Sequence, residues 1–183
     1  MNDTILDRTI YTTRPDPTTR LAKENRVYDL LEQLSIPFKR LDHEVTDTIE
    51  SCHDVDRLLD INICKNLFLC NASHTNFYLL MIPGEKKFKT SVISKQINSS
   101  RLSFAEPEYM IEFLDITPGS VSVLGLMNDS KNRVQLLMDE DVLKDEYLGC
   151  HPCINTSSLK IRVDDLLHIF LPYVKHDVVY VTL

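Results

Sequence analysis

The residues that could do chemistry are concentrated in Thr117–Ile161. Pro118-Gly119 reads as a turn, and Gly149-Cys150-His151-Pro152 reads as a stiff loop that carries an imidazole. Gly119, Gly125 and Gly149 all fall in this stretch, and glycine permits positive φ and close backbone approach, so backbone amides here could face a ligand. No phosphate-binding P-loop, GxGxxG or nucleophile motif accompanies them. A site made of these residues would therefore work by shape and backbone polarity. His151 could be a base, a ligand or a locally hydrogen-bonded loop residue. Lys65, just ahead of the apolar run Leu67–Cys70, could reach a phosphate as a point charge, or could be an ordinary surface lysine.

The five cysteines, Cys52, Cys64, Cys70, Cys150 and Cys153, are an odd number, and reduced thiols are expected. Cys150-His151-Pro152-Cys153 has C-x-x-C spacing, but a thioredoxin-like centre would follow an early strand and open a helix. Here the motif lies late and precedes an extended segment. A zinc site would need a second ligand pair, and nothing in the spacing of Cys52-His53 demands that role.

These residues must be positioned by short elements. Val27, Leu30, Leu31 and Leu34 share one helical face, ended by Ile36-Pro37 after a cap at Thr18 or Thr19. Phe38–Leu41 reads as extended. Asp47 and Glu50 resemble a capping box ahead of a second helix through Ile49, Cys52, Val55 and Leu59. Leu67–Cys70 and Phe77–Ile82 read as paired strands, Ser91–Ile97 as a helix, Leu102–Phe104 as a strand, and Pro107–Asp115 as a helix. Val121–Leu126 and Arg133–Met138 are expected to be strands about an Asn128–Asn132 turn. Ser157–Ile161 reads as extended, followed by a helix from Asp164 or Asp165 that stops before Pro172, then a strand at Val178–Val181. Irregular alternation with adjacent hairpins predicts an α+β fold with a mixed sheet.

At 183 residues the chain is expected to hold one domain, residues 21–183, behind an N-terminal extension of residues 1–20. No apolar run is long enough for a membrane span, and the N-terminus lacks the apolar core of a signal peptide, so a cytoplasmic location is expected. A net charge of −7 argues against holding DNA or RNA by bulk electrostatics, but not against touching the end of an RNA. Lys86, Lys87, Lys89, Lys95 and Arg101 form a local basic stretch that could equally be a solvated face.

The order PGS…GL.ND…V….D..L…HP..NT..L.I, with Lys65-Asn66-Leu67-Phe68-Leu69 upstream, resembles the YbaK/ProX family of prolyl-tRNA editing domains from about Leu21 to about Leu171. The resemblance implies a mixed, barrel-like β-sheet flanked by helices, and hydrolysis of mischarged aminoacyl-tRNA(Pro) without metal or organic cofactor. The His151-Pro152 segment is similar to the alanine-specific branch. By the same resemblance, Lys65 meets the phosphate of the terminal adenosine, and Gly119 and Ser120 grip the ester region through backbone amides. His151 and Pro152 wall the amino-acid pocket, and Asn155 braces their loop. His43 and Thr46 resemble a segment near the pocket mouth. Val123 stands where the family has proline, which bears on loop rigidity. The expected partners are the tRNA(Pro) acceptor end and, further, prolyl-tRNA synthetase. Alternatives are a cysteinyl-tRNA(Pro) deacylase or a non-catalytic tRNA-binding module of the same fold. An aminoacyl ester is already activated, so a placed water and donors for the oxyanion suffice and no catalytic triad is required.

Overall fold

The computed structural model describes residues 7–45 and 49–183, with side chains described for all of these except 49–52. The capping box at Asp47 and Glu50 lies outside that description, as does Thr46. Helix α1 spans Ala22–Gln33 and buries Val27, Leu30 and Leu31, the spacing of a single helical face. Strand β1 (Lys39–Asp42) and helix α2 (Ile49–Leu59) follow, with Leu41, Val55 and Leu59 packed together.

Strands β2 (Cys64–Asn71) and β3 (Phe77–Pro83) pair antiparallel. Helix α3 (Thr90–Gln96), strand β4 (Leu102–Phe104) and helix α4 (Pro107–Leu114) come next, then β5 (Val134–Asp139), β6 (Tyr147–Cys150), β7 (Ser157–Arg162) and β8 (Val178–Val181). A five-stranded mixed sheet has the order β4-β2-β3-β5-β8, with β3-β5 and β5-β8 parallel. A three-stranded antiparallel sheet has the order β1-β7-β6. β3 is apolar along its whole length because both its faces are covered. Phe77, Leu79 and Met81 enter the large core with α1, α4 and Leu159 and Ile161 of β7, while Leu80 and Ile82 pack with Ile93 and Leu137. The two sheets thus share one core, the expected mixed α+β arrangement, barrel-like without closing.

Five expectations are corrected. Val121–Leu126 is not a strand; a 3-10 helix runs over Val123–Asn128. Ser122 Oγ accepts the Leu124 N–H at 3.2 Å and caps that helix, while Val123, Leu124 and Leu126 point into the core, so packing overrides β-branched propensity. Asn128-Asp129 is accordingly no hairpin turn: the Asp129 carboxylate accepts the Arg133 and Val134 N–H groups and meets His176 Nε2 at 3.1 Å. The last helix does not stop before Pro172. It runs through a π-helical stretch, Leu166–Phe170, into Leu171–Tyr173. The widened turn, with Leu171 N–H bonded to Leu166 O, sets Pro172 at the start of a new turn, where its missing N–H costs little. Gly149-Cys150 belongs to β6 rather than to a loop. Neither Thr18 nor Thr19 caps α1: its N-cap position is Leu21, which makes no side-chain cap, while Thr18 and Thr19 lie in a separate 3-10 turn, Pro17–Thr19, capped by Asp16.

The segment ahead of α1 is pinned to the sheet edge. Tyr11 and Arg40 exchange backbone hydrogen bonds of 2.9 and 2.8 Å, and the Arg40 guanidinium stacks on the Tyr11 ring.

Candidate functional site

The site forms at the seam between the two sheets. β4 pairs only with Leu69–Asn71 of β2, so the start of β2 is free on that side. There Ile63 makes a parallel bridge to Gly149 of β6. Gly149 permits this approach: a Cβ would lie 2.4 Å from Ile61 Cδ1. A cavity of about 250 Å³ opens at this junction, its lining including Lys65, Gly119, Val121, Cys150, His151 and Ser158, with Ile61 and Ile63 among its apolar residues and Asn66 and Glu85 among its polar ones. The structure therefore brings together Lys65, Gly119 and His151, which lie far apart in the chain.

Lys65 stands on β2, and its Nζ donates to Lys86 O at 3.3 Å. Among the described residues no carboxylate lies within 4.0 Å of it, whereas Lys86 is held by Asp139 and Asp141, each at 2.7 Å. One member of the basic stretch is thus structural, and the Lys65 ammonium is left for the cavity.

Gly119 has φ +86°, and Ser120 N–H closes the Pro118-Gly119 turn on Thr117 O at 3.1 Å. That bond commits the Ser120 amide, and Ser120 is buried. The Gly119 and Val121 amides have no partner among the described residues. Ser120 and Asn155 line a second cavity on the other side of this loop. Asn155 lies against Gly119 rather than under His151: its Nδ2 would be 3.1 Å from a Cβ there. Its Oδ1 is buried without a partner among the described residues. Val123, at the family's proline position, is fully buried in the capped 3-10 helix, so the turn is held by packing and by Ser122 instead.

Pro152 is buried behind His151, followed by Cys153 with φ +62°. His151 Nδ1 lies 2.9 Å from Ser157 O. His43 is buried and does not line the cavity; its Nδ1 lies 2.7 Å from Glu44 O and its Nε2 2.9 Å from Ser158 Oγ. Ser158 Oγ is also 3.5 Å from His151 Nδ1, so the serine joins the two imidazoles. Burial lowers the pKa of both rings, against smaller upward pulls from their carbonyl partners. Ser158 is the residue that sequence reasoning missed. The alternation Ser158, Leu159, Lys160, Ile161 was its signal, because it sends Leu159 and Ile161 to the core and Ser158 to the other face.

Burial pushes the Cys64 thiol up to about 12 and raises Cys150 also, so both cavity-lining thiols are neutral and poor nucleophiles. Among the described residues, Cys70, His74 and Glu106 bring potential metal-ligand atoms within 4.8 Å of one another. They sit toward the other end of β2, where His74 and Glu106 already pair at 3.4 Å.

The model of the aminoacyl-tRNA editing domain matches residues 43–169, more than half of the chain and every residue that lines the cavity. A curated relative, the prolyl-tRNA editing protein ProX of Acetoanaerobium sticklandii, is 29% identical over 136 residues, covering 74% of this chain and 83% of its own. The prolyl-tRNA synthetase associated domain-containing protein 1 of Danio rerio is 25% identical over 150 residues, covering 81% and 80%. A solved structure described as a candidate trans-editing enzyme for prolyl tRNA synthetase superposes with a TM-score of 0.66 at 15% identity, covering 90% of this chain and 99% of that one, and so shares the fold. The chain belongs to the aminoacyl-tRNA editing domain family. The resemblance to prolyl-tRNA editing domains read from the KNLFL and HP..NT segments is thereby upheld. Among the described residues, no helix is long and apolar enough to cross a membrane.

Proposed function

We propose that this chain is a deacylase that hydrolyses the ester of mischarged aminoacyl-tRNA(Pro), with alanine as its amino acid. The observation that carries this reading is the seam cavity itself, which is small, largely apolar in its walls and provided with a lysine that no carboxylate neutralises among the described residues. Lys65 would hold the phosphate of the terminal adenosine as a point charge. The free amides of Gly119 and Val121 would donate to the oxyanion that develops when water attacks the ester. Ser120, Pro152 and Asn155 would act from behind, holding the two loops in register. His151 would wall the amino-acid pocket, so that the bulkier proline is rejected by clash. A synthetase pocket sized for proline cannot strongly reject a smaller amino acid, which is the need a second sieve meets.

In this reading residues 21–183 are the editing domain, its partner is the tRNA(Pro) acceptor end supplied by prolyl-tRNA synthetase, and it works in the cytoplasm. The names of the ProX and synthetase-associated relatives support the choice of tRNA(Pro). The test is deacylation of alanyl-, seryl-, cysteinyl- and prolyl-tRNA(Pro) by the purified protein, with EDTA and a reductant present. Alanyl-tRNA(Pro) should be hydrolysed fastest and prolyl-tRNA(Pro) spared. Preference for the cysteinyl substrate would move the chain to the cysteine-specific branch. Binding of tRNA without turnover of any substrate would make it a non-catalytic module.

A further inference from the structure

The hydrogen-bond pattern around Ser158 fixes which atoms donate and which accept. A backbone carbonyl oxygen only accepts. The carbonyls 2.7 Å from His43 Nδ1 and 2.9 Å from His151 Nδ1 therefore place the proton of each neutral ring on Nδ1, leaving each Nε2 with a lone pair. His43 Nε2 must then accept the Ser158 hydroxyl proton across 2.9 Å. With that proton committed to the buried His43, Ser158 Oγ has only lone pairs left for the cavity it lines. His151 Nε2, on the same wall, has no partner among the described residues. The same cavity is lined by Lys65, an ammonium donor, and by Gly119 and Val121, whose amides have no partner among the described residues. The cavity thus combines donors with acceptors, and Asn66 and Glu85 add to the acceptors in its lining.

Resting on the editing activity proposed above, we propose that Ser158 Oγ and His151 Nε2 are an acceptor pair that binds the α-ammonium of the aminoacyl ester, and that His43 is the positioning residue that keeps Ser158 accepting. An α-ammonium is a pure donor, like a lysine head group, while the ester and phosphate oxygens only accept, so the ammonium needs acceptors such as this pair and the oxygens need donors. The side chains of Ile61, Ile63 and Val121 offer an ammonium nothing. Asn66, whose Oδ1 is buried without a partner among the described residues, and the exposed Glu85 also line the cavity as acceptors, and the Ser158 variants separate the proposed pair from them. Specificity follows: the enzyme requires a free α-amine and rejects an Nα-acylated amino acid, whose amide has lost the charge and gained bulk.

The experiment compares kcat/KM for alanyl-tRNA(Pro) and N-acetylalanyl-tRNA(Pro) in wild type, Ser158→Ala and Ser158→Thr, with thermal melts to confirm folding. Wild type should prefer the free amine by at least about tenfold, the loss expected for a hydrogen bond to a charged group. Ser158→Ala should lower the alanyl rate and bring the ratio toward one, and Ser158→Thr, which keeps the hydroxyl, should restore it. Equal hydrolysis of both substrates by wild type would overturn the inference while leaving the editing activity intact; so would equal losses on both substrates in Ser158→Ala. Failure of wild type on alanyl-, seryl- and cysteinyl-tRNA(Pro) alike would overturn the editing activity and this inference together.

Discussion

Lys65 reaches the cavity from a strand and, among the described residues, is tethered only by the Lys86 carbonyl, so its removal leaves no buried charge uncompensated there. Lys65→Ala should therefore keep the wild-type melting temperature and lower deacylation about tenfold to a hundredfold, as expected for one charge-assisted contact. Turnover close to wild type would remove Lys65 from the site. In the proposed reading His151 would act by bulk as well as by its nitrogen. His151→Ala should enlarge the pocket and shift the alanyl-to-prolyl preference by roughly tenfold to two-hundredfold, the range that pocket shape supplies. Unchanged relative rates across the four substrates would show that the imidazole does not wall the pocket. The two histidines also set an acid limit. Burial holds both rings below the unfolded histidine value of about 6.5, so the unfolded chain binds protons first as pH falls. Their contribution is complete above that value and is lost as pH falls through the folded pKa values. Melting temperature should drop between pH 7 and pH 5, and less steeply in His43→Gln; equal slopes in the two proteins would contradict this. Lys65, Gly119 and His151 were legible in the sequence because each sits in a short, distinctive motif. Ser158 was not, because a serine in a strand gains meaning only once its two imidazole neighbours are in place.

The loop Thr117–Ser122 is held by elements that the sequence reading described differently. The tight turn needs Gly119 in left-handed backbone, and the capped 3-10 helix after it fixes the exit direction. Gly119→Ala should cost about 1–2 kcal/mol of stability, the penalty of a Cβ in that conformation. Because the same loop carries the free amides, deacylation should fall as well. A variant that melts and turns over like wild type would show that the turn does not set the oxyanion donors. Helices α1, α3 and α4 and strands β2, β3, β5, β7 and β8 were legible because apolar spacing or turn residues bound them. Val121–Leu126 misled because Val121, Val123 and Leu124 favour strands locally, while Ser122 and the core together favour a helical turn. Strand β6 escaped notice because it is four residues long and contains Gly149, a residue chosen here for contact with Ile61 rather than for strand propensity. Pro172 was read as a helix stop because proline lacks an N–H; the π-helical stretch before it is a tertiary solution with no local signature.

Across the whole molecule, the fold class was readable from the irregular alternation of helices and strands, but the seam was not. It depends on Ile63 finding Gly149 and on β6 and β7 folding back against a sheet made of other parts of the chain. Neither sheet carries the site alone. The five-stranded sheet supplies Lys65, the three-stranded sheet supplies Ser158 and, just past the end of β6, His151, and Gly119 comes from the loop beyond α4. That division gives the protein a clock. Hairpin β2-β3 joins neighbours in sequence and can form early, whereas the parallel pairs β3-β5 and β5-β8 and the meeting of the two sheets close long loops and must come later. On dilution from denaturant, the circular dichroism of helices and strands should recover before deacylase activity does, and the lag should end when the two sheets dock. Simultaneous recovery of both signals would mean that the sheets assemble in one step. A nascent chain would then carry most of its secondary structure for a time without being able to touch an aminoacyl ester.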